Sequence, residues 1–199
     1  MLALEVKRTV QGVGHLGVGE HRASVAGKRT RSYTAWTGML GRCYSENCHE
    51  RQPTYRDATV CPYWLNYQNF AEWFTNEPNS TEKGFQLDKD LILAGNREYG
   101  PLACSYVPRA INTLLVCRQN ATGLPIGVSA FRSRYRSSLG VHGVLKHLGT
   151  YDTPSEARAA YVVAKEHYVK LLAEDYKQVL HPDVYTHLIN WRARWQVLT

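Results

Sequence analysis

Residues 84–112 combine two strand patterns, a turn signal and a helix pattern in the sequence GFQLDKDLILAGNREYGPLACSYVPRAIN. The alternating segment 85–87 predicts the end of a strand, and Gly95 supplies the positive φ that a tight turn requires. Residues 102–106 predict a returning strand. Pro108 predicts the start of a helix whose apolar residues recur at helical spacing. The predicted order is therefore strand, turn, strand, helix.

Acidic and amide side chains are concentrated in the same run. Asp88 and Asp90 flank Lys89 at the end of the first predicted strand, and Asn112 lies inside the predicted helix. A hard divalent cation prefers carboxylate and amide oxygens, and it offsets the charge that grows on a phosphodiester during hydrolysis. We therefore predict a Mg²⁺ or Mn²⁺ site formed by Asp88, Asp90 and Asn112, with Lys89 as a fixed charge for the phosphate. The alternative is that the two aspartates only cap a turn.

The order LDKD, GN, Y, C, VP and IN in this run resembles the phage-encoded HNH homing-endonuclease group. The resemblance extends upstream through W, ML, RCY, PTY, VC, W and F, over roughly residues 32–115. The ββα-metal core of that family implies catalytic roles for Asp88, Lys89 and Asn112, with Asp88 and Asn112 as metal ligands. Lys89 occupies the position of the family's general-base histidine. An ordinary lysine is protonated near pH 7 and cannot accept a proton from water. The sequence therefore allows both a protein that cleaves DNA and one that only binds it.

Five cysteines, at positions 43, 48, 61, 104 and 117, follow no regular spacing. An odd, irregular set predicts reduced thiols rather than disulfides. Cys43, Cys48, His49 and Cys61 are residue types that zinc prefers, but they include no CxxC pair. We therefore favour separate cysteines over a zinc site.

The composition predicts a basic, soluble protein. The 199 residues carry a formal charge of +7, and 44% of them are hydrophobic, which is enough for a core. No stretch approaches the roughly 18 apolar residues of a membrane span, and the first eight residues lack the order of a signal peptide. We expect a cytoplasmic protein, in the host cytoplasm if the chain is phage-encoded, with no membrane partner.

The N-terminal 31 residues are rich in glycine and basic residues and show no sustained periodicity, so we predict an arm or a hairpin. Lys28, Arg29 and Arg31 are interpreted as contacts to DNA backbone phosphates. From Ser32, which we expect to be the cap, helical spacing of apolar residues predicts a half-buried helix. Aromatic residues in the segment 60–74 predict core that packs beneath the Asp88 run.

The C-terminal part predicts three short strands, at residues 126–131, 135–141 and 144–151, followed by a helix. Thr153-Pro154-Ser155-Glu156 is a complete helix start, with a cap, a first-turn proline and a glutamate three residues after the cap. An apolar face suited to packing on a sheet follows. Its predicted members are Ala157, Ala160, Tyr161, Ala164, Tyr168 and Leu171.

The segments IGVS, YRSSL and KHLGTYDTPSEARAAY closely resemble the plant ethylene-response-factor (APETALA) type of DNA-binding domain, which is also found fused to phage HNH endonucleases. The resemblance implies that the sheet enters the major groove and that its exposed face contacts bases. Between residues 121 and 151 the only formal charges are Arg132, Arg134, Arg136 and Lys146. The three arginines alternate with other residues, so an extended chain places them on one face. A solvated basic hairpin without a partner is the alternative.

Together these patterns predict an α+β protein with four parts. The parts are a basic arm (1–31), an HNH-like ββα-metal module (32–118), a three-stranded antiparallel sheet packed on one helix (119–178) and a C-terminal docking helix (179–199). The docking helix carries an apolar stripe of Val184, Leu188, Trp191 and Trp195. We expect the first module to hydrolyse double-stranded DNA with Mg²⁺ or Mn²⁺ and the second to select the site. The alternatives are a non-cleaving sequence-specific DNA-binding protein and a phage inhibitor that binds a host protein.

Overall fold

The computed structural model describes residues 9–93, 95–115 and 123–193. The protein contains both helices and strands, which confirms the predicted α+β class. The chain divides into two compact units, Met1–Val107 and Pro108–Thr199. The division falls before residue 118, where the HNH-like module was predicted to end, so the helix that follows Pro108 belongs to the second unit.

The first unit is helical, with short pairs of strands. Its strands pair as β1 with β2 (antiparallel), β3 with β5 (parallel) and β4 with β6. In chain order the elements are β1 (Ser24–Val25), β2 (Lys28–Arg29), α1 (Arg31–Tyr44), α2 (Glu46–Arg51), β3 (Thr59–Val60), α3 (Tyr67–Asn76), β4 (Phe85–Asp88), β5 (Glu98–Tyr99) and β6 (Ser105–Pro108). Short 3-10 turns at Pro53–Tyr55 and Pro62–Leu65 precede β3 and α3.

Aromatic side chains from α1, α3 and the turn before α3 form the core of the first unit. Trp36, Trp64 and Phe70 have no exposed surface. The indole Nε1 of Trp36 donates to the Trp64 carbonyl at 2.7 Å, and the Trp64 ring meets Phe70 edge-on with centroids 5.0 Å apart. Phe85 and Leu87 of β4 pack against this core. The prediction that the aromatic segment packs beneath the Asp88 run is therefore confirmed.

The glycine-rich arm docks on the start of α3. Gln68 accepts from the His21 N–H at 2.9 Å and donates to the Leu16 and His21 carbonyls at 3.2 and 3.0 Å. A Cβ on Gly17 would lie 2.1 Å from the Asn66 Oδ1 atom, and the φ of Gly17 is +68°. Only glycine fits such a close approach in that conformation. The described part of the arm, residues 9–31, is thus ordered, as predicted, and belongs to the first unit.

The first long helix starts earlier than its sequence pattern predicts. Thr30 is the N-cap of α1, and its hydroxyl accepts from the Tyr33 N–H at 3.3 Å. The Ser32 hydroxyl instead forms a hydrogen bond with the Tyr67 hydroxyl at 2.9 Å. The prediction of Ser32 as the cap is wrong, because Thr30 is the residue with extended backbone at the helix start.

The second unit is a three-stranded sheet covered on one face by a long helix. Its elements are α4 (Arg109–Leu115), β7 (Val128–Phe131), β8 (Arg134–Val141), β9 (Val144–Tyr151), α5 (Pro154–Asp175) and α6 (Pro182–Ile189). The strands are antiparallel in chain order, α5 packs on the sheet, and α4 and α6 pack against α5. This confirms the predicted sheet on one helix. In α6, Val184 and Leu188 are buried as predicted, Trp191 follows the helix end, and Trp195 lies outside the described residues.

Helix α5 begins at the predicted residues. The Thr153 hydroxyl accepts from the Glu156 N–H, and the Glu156 carboxylate accepts from the Thr153 N–H, both at 3.2 Å. The buried face differs at its C-terminal end, where Leu171 is 48% exposed and Leu172 is buried. Leu172 lies three full turns after Tyr161, so it falls on the same face, and the prediction of Leu171 is wrong.

Removing the cap of α5 should destabilise the second unit. Thr153→Ala leaves the Glu156 N–H without its acceptor, so the free energy of unfolding should fall by about 1 kcal/mol. Urea unfolding followed by circular dichroism measures the loss. Ser155→Ala is the control, because Ser155 is an exposed residue of the same first turn. Equal losses in the two variants would contradict the capping role.

Candidate functional site

Asp88 ends β4 and caps the loop that follows it. Its Oδ1 atom accepts hydrogen bonds from the N–H groups of Asp90 at 2.8 Å and Leu91 at 2.9 Å. This is the turn-capping arrangement that short acidic side chains favour, and it matches the alternative role given to Asp88 from the sequence. Both bonds use one carboxylate oxygen, so a metal ion at Asp88 would bind through Oδ2.

The surroundings of Asp88 raise the pKa of its carboxyl group. Burial raises the pKa of Asp88, and the neighbouring Asp90 charge raises it further. The two backbone hydrogen bonds and Lys89 lower this pKa, but the net direction is upward. A cation bound beside the carboxylate would favour the ionised form, because an opposite charge offsets the cost of burial.

Lys89 turns its side chain into the first unit. The side chain is 12% exposed, and its ammonium forms an ion pair with Asp90 and donates to the Asn96 carbonyl at 3.0 Å. Asn96 in return donates to the Lys89 carbonyl at 2.8 Å and to the Glu98 carbonyl at 2.6 Å. The contacts of Lys89 therefore stabilise the β4–β5 loop. Its predicted charge contact with a phosphate stays a prediction.

The predicted metal ligands are divided between the two units. Asp88 and Asp90 belong to the first unit, whereas Asn112 lies on α4 in the second. The convergence of their oxygens on one cation therefore stays a prediction. Within the described ranges, His, Cys, Asp and Glu side chains form no cluster of three or more that would hold a metal ion. A site built on Asp88 and Asp90 thus needs an amide or solvent oxygen as a further ligand.

The strand that returns after the loop is shifted relative to its prediction. Strand β6 covers Ser105–Pro108 rather than residues 102–106, and Leu102 lies in a turn with 90% of its surface exposed. The additional strand β5 pairs with β3, outside the predicted hairpin. The positive φ of Gly95 is confirmed at +80°, and Ala94 lies outside the described residues. The chain order β4, β6, α4 agrees with the predicted strand, strand, helix.

The residues considered for zinc have other surroundings. Cys43 is buried in the core, and burial raises the pKa of its thiol to about 11. Zinc binds thiolate, and without a metal ion this burial favours the thiol form of Cys43. The His49 Nε2 atom forms a hydrogen bond with the Arg42 carbonyl at 3.0 Å. Cys48 and Cys61 are free and partly buried, and Cys117 lies outside the described residues.

Arg134 and Arg136 lie on the open face of the sheet, away from α5. Arg134 pairs with Phe131, and Arg136 pairs with Ser129 and Thr150. Ser137, the next residue along the strand and therefore on the other face, is fully buried. Because side chains alternate along a strand, the two arginines point away from the helix.

Arg132 lies outside the strands, and Lys146 lies on the other face of the sheet. Arg132 lies in the turn between β7 and β8 with a φ of +56°, so the strand alternation begins after it. Lys146 pairs with Leu139, whose side chain is buried on the α5 side. A bulge at Ser137/Ser138 shifts the register of β9, and a one-residue shift moves a side chain to the other face. The extended segment predicted for the three arginines therefore includes Arg134 and Arg136 but not Arg132, whose guanidinium nevertheless lies 5.5 Å from the centroid of the Phe131 ring. The contact of Lys146 with DNA stays a prediction.

The two arginines on the open face differ in how they are held. The Arg136 guanidinium lies 3.9 Å from the centroid of the Phe131 ring, and its Nε is buried without a hydrogen-bond partner. Arg134 pairs through Nε with Asp152 at 2.7 Å, and both side chains are largely exposed. Exposed pairs contribute at most about 1 kcal/mol, so Arg134 can exchange its partner. Arg136 lies against an aromatic ring and, among the described residues, has no acidic partner.

The predicted phosphate contacts of the arm lie on and next to the β1–β2 hairpin. Lys28 and Arg29 form β2 and are exposed. The Arg29 guanidinium lies 5.8 Å from the Tyr33 ring centroid, and Arg31 donates to the Glu82 carbonyl at 3.2 Å. Their contact with DNA phosphates stays a prediction.

No protein-family model, curated protein or solved structure matches the chain. The resemblances to HNH endonucleases and to ethylene-response-factor domains therefore stay expectations. No helix in the described ranges is long and apolar enough to span a membrane.

Removing the Lys89 ammonium should destabilise the first unit. Lys89→Met keeps the length of the side chain but leaves Asp90 and the Asn96 carbonyl without their donor, so the free energy of unfolding should fall by about 1–3 kcal/mol. Chemical unfolding followed by tryptophan fluorescence measures the change. Lys83→Met, at an exposed position near β4, should stay within about 0.5 kcal/mol of the wild type. A Lys89→Met protein as stable as Lys83→Met would show that these bonds carry no stability.

Proposed function

We propose that the protein binds double-stranded DNA through the open face of the β7–β9 sheet. The observation that carries the proposal is the state of Arg136, a cation stacked on Phe131 with an unpaired Nε and no acidic partner in the described residues. A charged group desolvated without a partner is costly, and an acceptor on a ligand would offset that cost.

The charge around the sheet supports a polyanionic partner. No acidic residue lies between residues 121 and 151, whereas Arg132, Arg134, Arg136 and Lys146 do. The first acid, Asp152, is engaged by Arg134. Such an unbalanced cluster repels itself in the free protein, and phosphate groups would relieve the repulsion.

The geometry of Arg136 favours base contact over phosphate contact. The Phe131 ring restricts the plane of the guanidinium, and a planar fork of donors matches the two acceptors of guanine in the major groove. A side chain that is already oriented loses less conformational entropy on binding. Arg134 gives up an exposed ion pair when it binds, so it suits a phosphate contact better. We therefore assign base recognition to Arg136 and a phosphate contact to Arg134 on the same strand.

Removing the stacked arginine should weaken binding in a sequence-dependent manner. Arg136→Ala should cost on the order of 1–3 kcal/mol on a preferred duplex and much less on unrelated duplexes, because it removes a base contact. The preferred duplex comes from selection out of a random library, and fluorescence anisotropy at one fixed salt concentration measures both affinities.

Lys146→Ala is the matched control for this experiment. It removes the same charge from the opposite face of the same sheet, so we expect a small loss that is equal on all duplexes. If Arg136→Ala and Lys146→Ala gave equal losses on the preferred duplex, the open face would not be the contact surface. A thermal melt of each variant checks that the sheet is intact.

Metal-dependent DNA hydrolysis in the first unit is the second candidate function. It is favoured by Asp88, a partly buried carboxylate whose raised pKa a cation would offset and whose Oδ2 is not used by the loop bonds. Asp88 and Asp90 would hold Mg²⁺ or Mn²⁺, and the ion would offset charge on the phosphodiester. An amide or solvent oxygen would complete the coordination. Lys89, bonded to the loop, would orient Asp90 rather than accept a proton.

Replacing the Asp88 carboxylate by an amide separates the metal role from the turn role. Asp88→Asn keeps an oxygen acceptor for the two loop N–H groups but removes the negative charge, so magnesium-dependent cleavage of a plasmid should fall by at least about 100-fold. Asp57→Asn is the control, because Asp57 is an exposed aspartate of the same unit that pairs with Arg97. Cleavage that survives Asp88→Asn would exclude Asp88 as a metal ligand. If the wild-type protein does not cleave DNA at all, DNA binding would remain as the only proposed function.

A further inference from the structure

A partly buried arginine in the first unit has no acidic partner. Arg42 lies in the last turn of α1, with its guanidinium carbon 5.4 Å from the Tyr99 ring centroid and 5.9 Å from that of Tyr55. Its Nε donates to the Tyr99 hydroxyl at 3.1 Å. The described residues form six ion pairs, and none of them includes Arg42. Partly buried arginines are ordinarily paired with a carboxylate.

The charges near Arg42 do not neutralise it. The Lys89 ammonium lies 5.9 Å from the centroid of the same Tyr99 ring, so two cations flank one aromatic side chain. Asp90 compensates Lys89, and the Asp88 carboxylate accepts from backbone N–H groups of its own loop. Arg42 is therefore the uncompensated charge of this cluster.

The guanidinium of Arg42 stays charged and keeps donors available. Burial lowers the pKa of Arg42, but its interactions with Tyr99, including the hydrogen bond from Nε, raise it, and the net direction is upward. The buried atoms without hydrogen-bond partners in the described part do not include nitrogens of Arg42. Only Nε has a hydrogen-bond partner, and Nη1 and Nη2 are not among the described nitrogens that are fully shielded from solvent, so both keep free N–H groups.

We propose that the Nη1 and Nη2 edge of Arg42 binds a phosphate group, either free phosphate or a phosphodiester. Two parallel donors match two phosphate oxygens, and the aromatic rings and the Tyr99 bond hold the fork in place. The site belongs to the first unit alone and stands independently of DNA binding by the β7–β9 sheet.

Titration of the full-length protein with inorganic phosphate tests this site. Sodium chloride replaces phosphate in the reference series at constant ionic strength, and thermal unfolding together with phosphorus NMR detects binding. We expect a saturable rise in Tm and line broadening in phosphate only. Arg42→Gln should weaken binding by at least about ten-fold, and Arg42→Lys should do so partially, because it keeps the charge without the fork. Arg51→Gln, which removes an exposed arginine of α2, should leave binding unchanged.

A short DNA duplex as competitor identifies the source of the phosphate. Displacement of free phosphate by the duplex would assign the site to the DNA backbone, and failure to displace it would assign the site to small phosphates. The proposal is overturned if wild-type protein shows no saturable response beyond the chloride series. It is also overturned if Arg42→Lys, the variant that keeps the charge should Arg42→Gln not fold, binds phosphate as tightly as the wild type.

Discussion

The contact between Trp36 and Trp64 holds together the parts of the first unit that bear on function. The indole of Trp36, buried completely, donates to the backbone of the turn that leads into α3. The arm approaches the same ring at Gly14, where a Cβ would lie 2.9 Å from Trp36 atoms. Strand β4, which ends in Asp88, packs against the same core. A large aromatic side chain with one satisfied polar group thus fixes the arm, the helix pair and the candidate metal loop together.

Each unit uses an aromatic ring rather than a carboxylate to hold an arginine. Arg42 is held at Tyr99 and Arg136 at Phe131. Ring faces attract a cation without neutralising it, whereas a carboxylate cancels the charge. An arginine positioned in this way keeps its full charge for an anion. Basic residues that were counted together in the sequence therefore fall into different physical classes, with Arg134 paired and Arg136 stacked.

The sequence predicted correctly those features that depend only on neighbouring residues. The start of α5 follows from Thr153 and Glu156, because a capping box is completed by neighbouring residues. The face of Lys146 could not be predicted, since it depends on a bulge that only the pairing of β8 with β9 produces. The direction of Lys89 depends on Asn96, which is reached only when the loop closes. The predicted site residues were therefore of the right chemical type, while their orientation was set by contacts that no short pattern encodes.

Because the glycine-rich arm packs on α3, two exposed glycines in it do not tolerate substitution as exposed residues usually do. Gly17 and Gly19 are exposed, and exposed loop residues ordinarily accept substitution. A Cβ at either position would nevertheless fall within 2.1 to 2.4 Å of an oxygen of Asn66 or Gln68. A substitution scan guided by surface area alone would rank these positions as permissive. A side chain at either position would displace the amide of Asn66, which caps α3, or that of Gln68, which binds the arm, so the substitution would break contacts that surface area does not show.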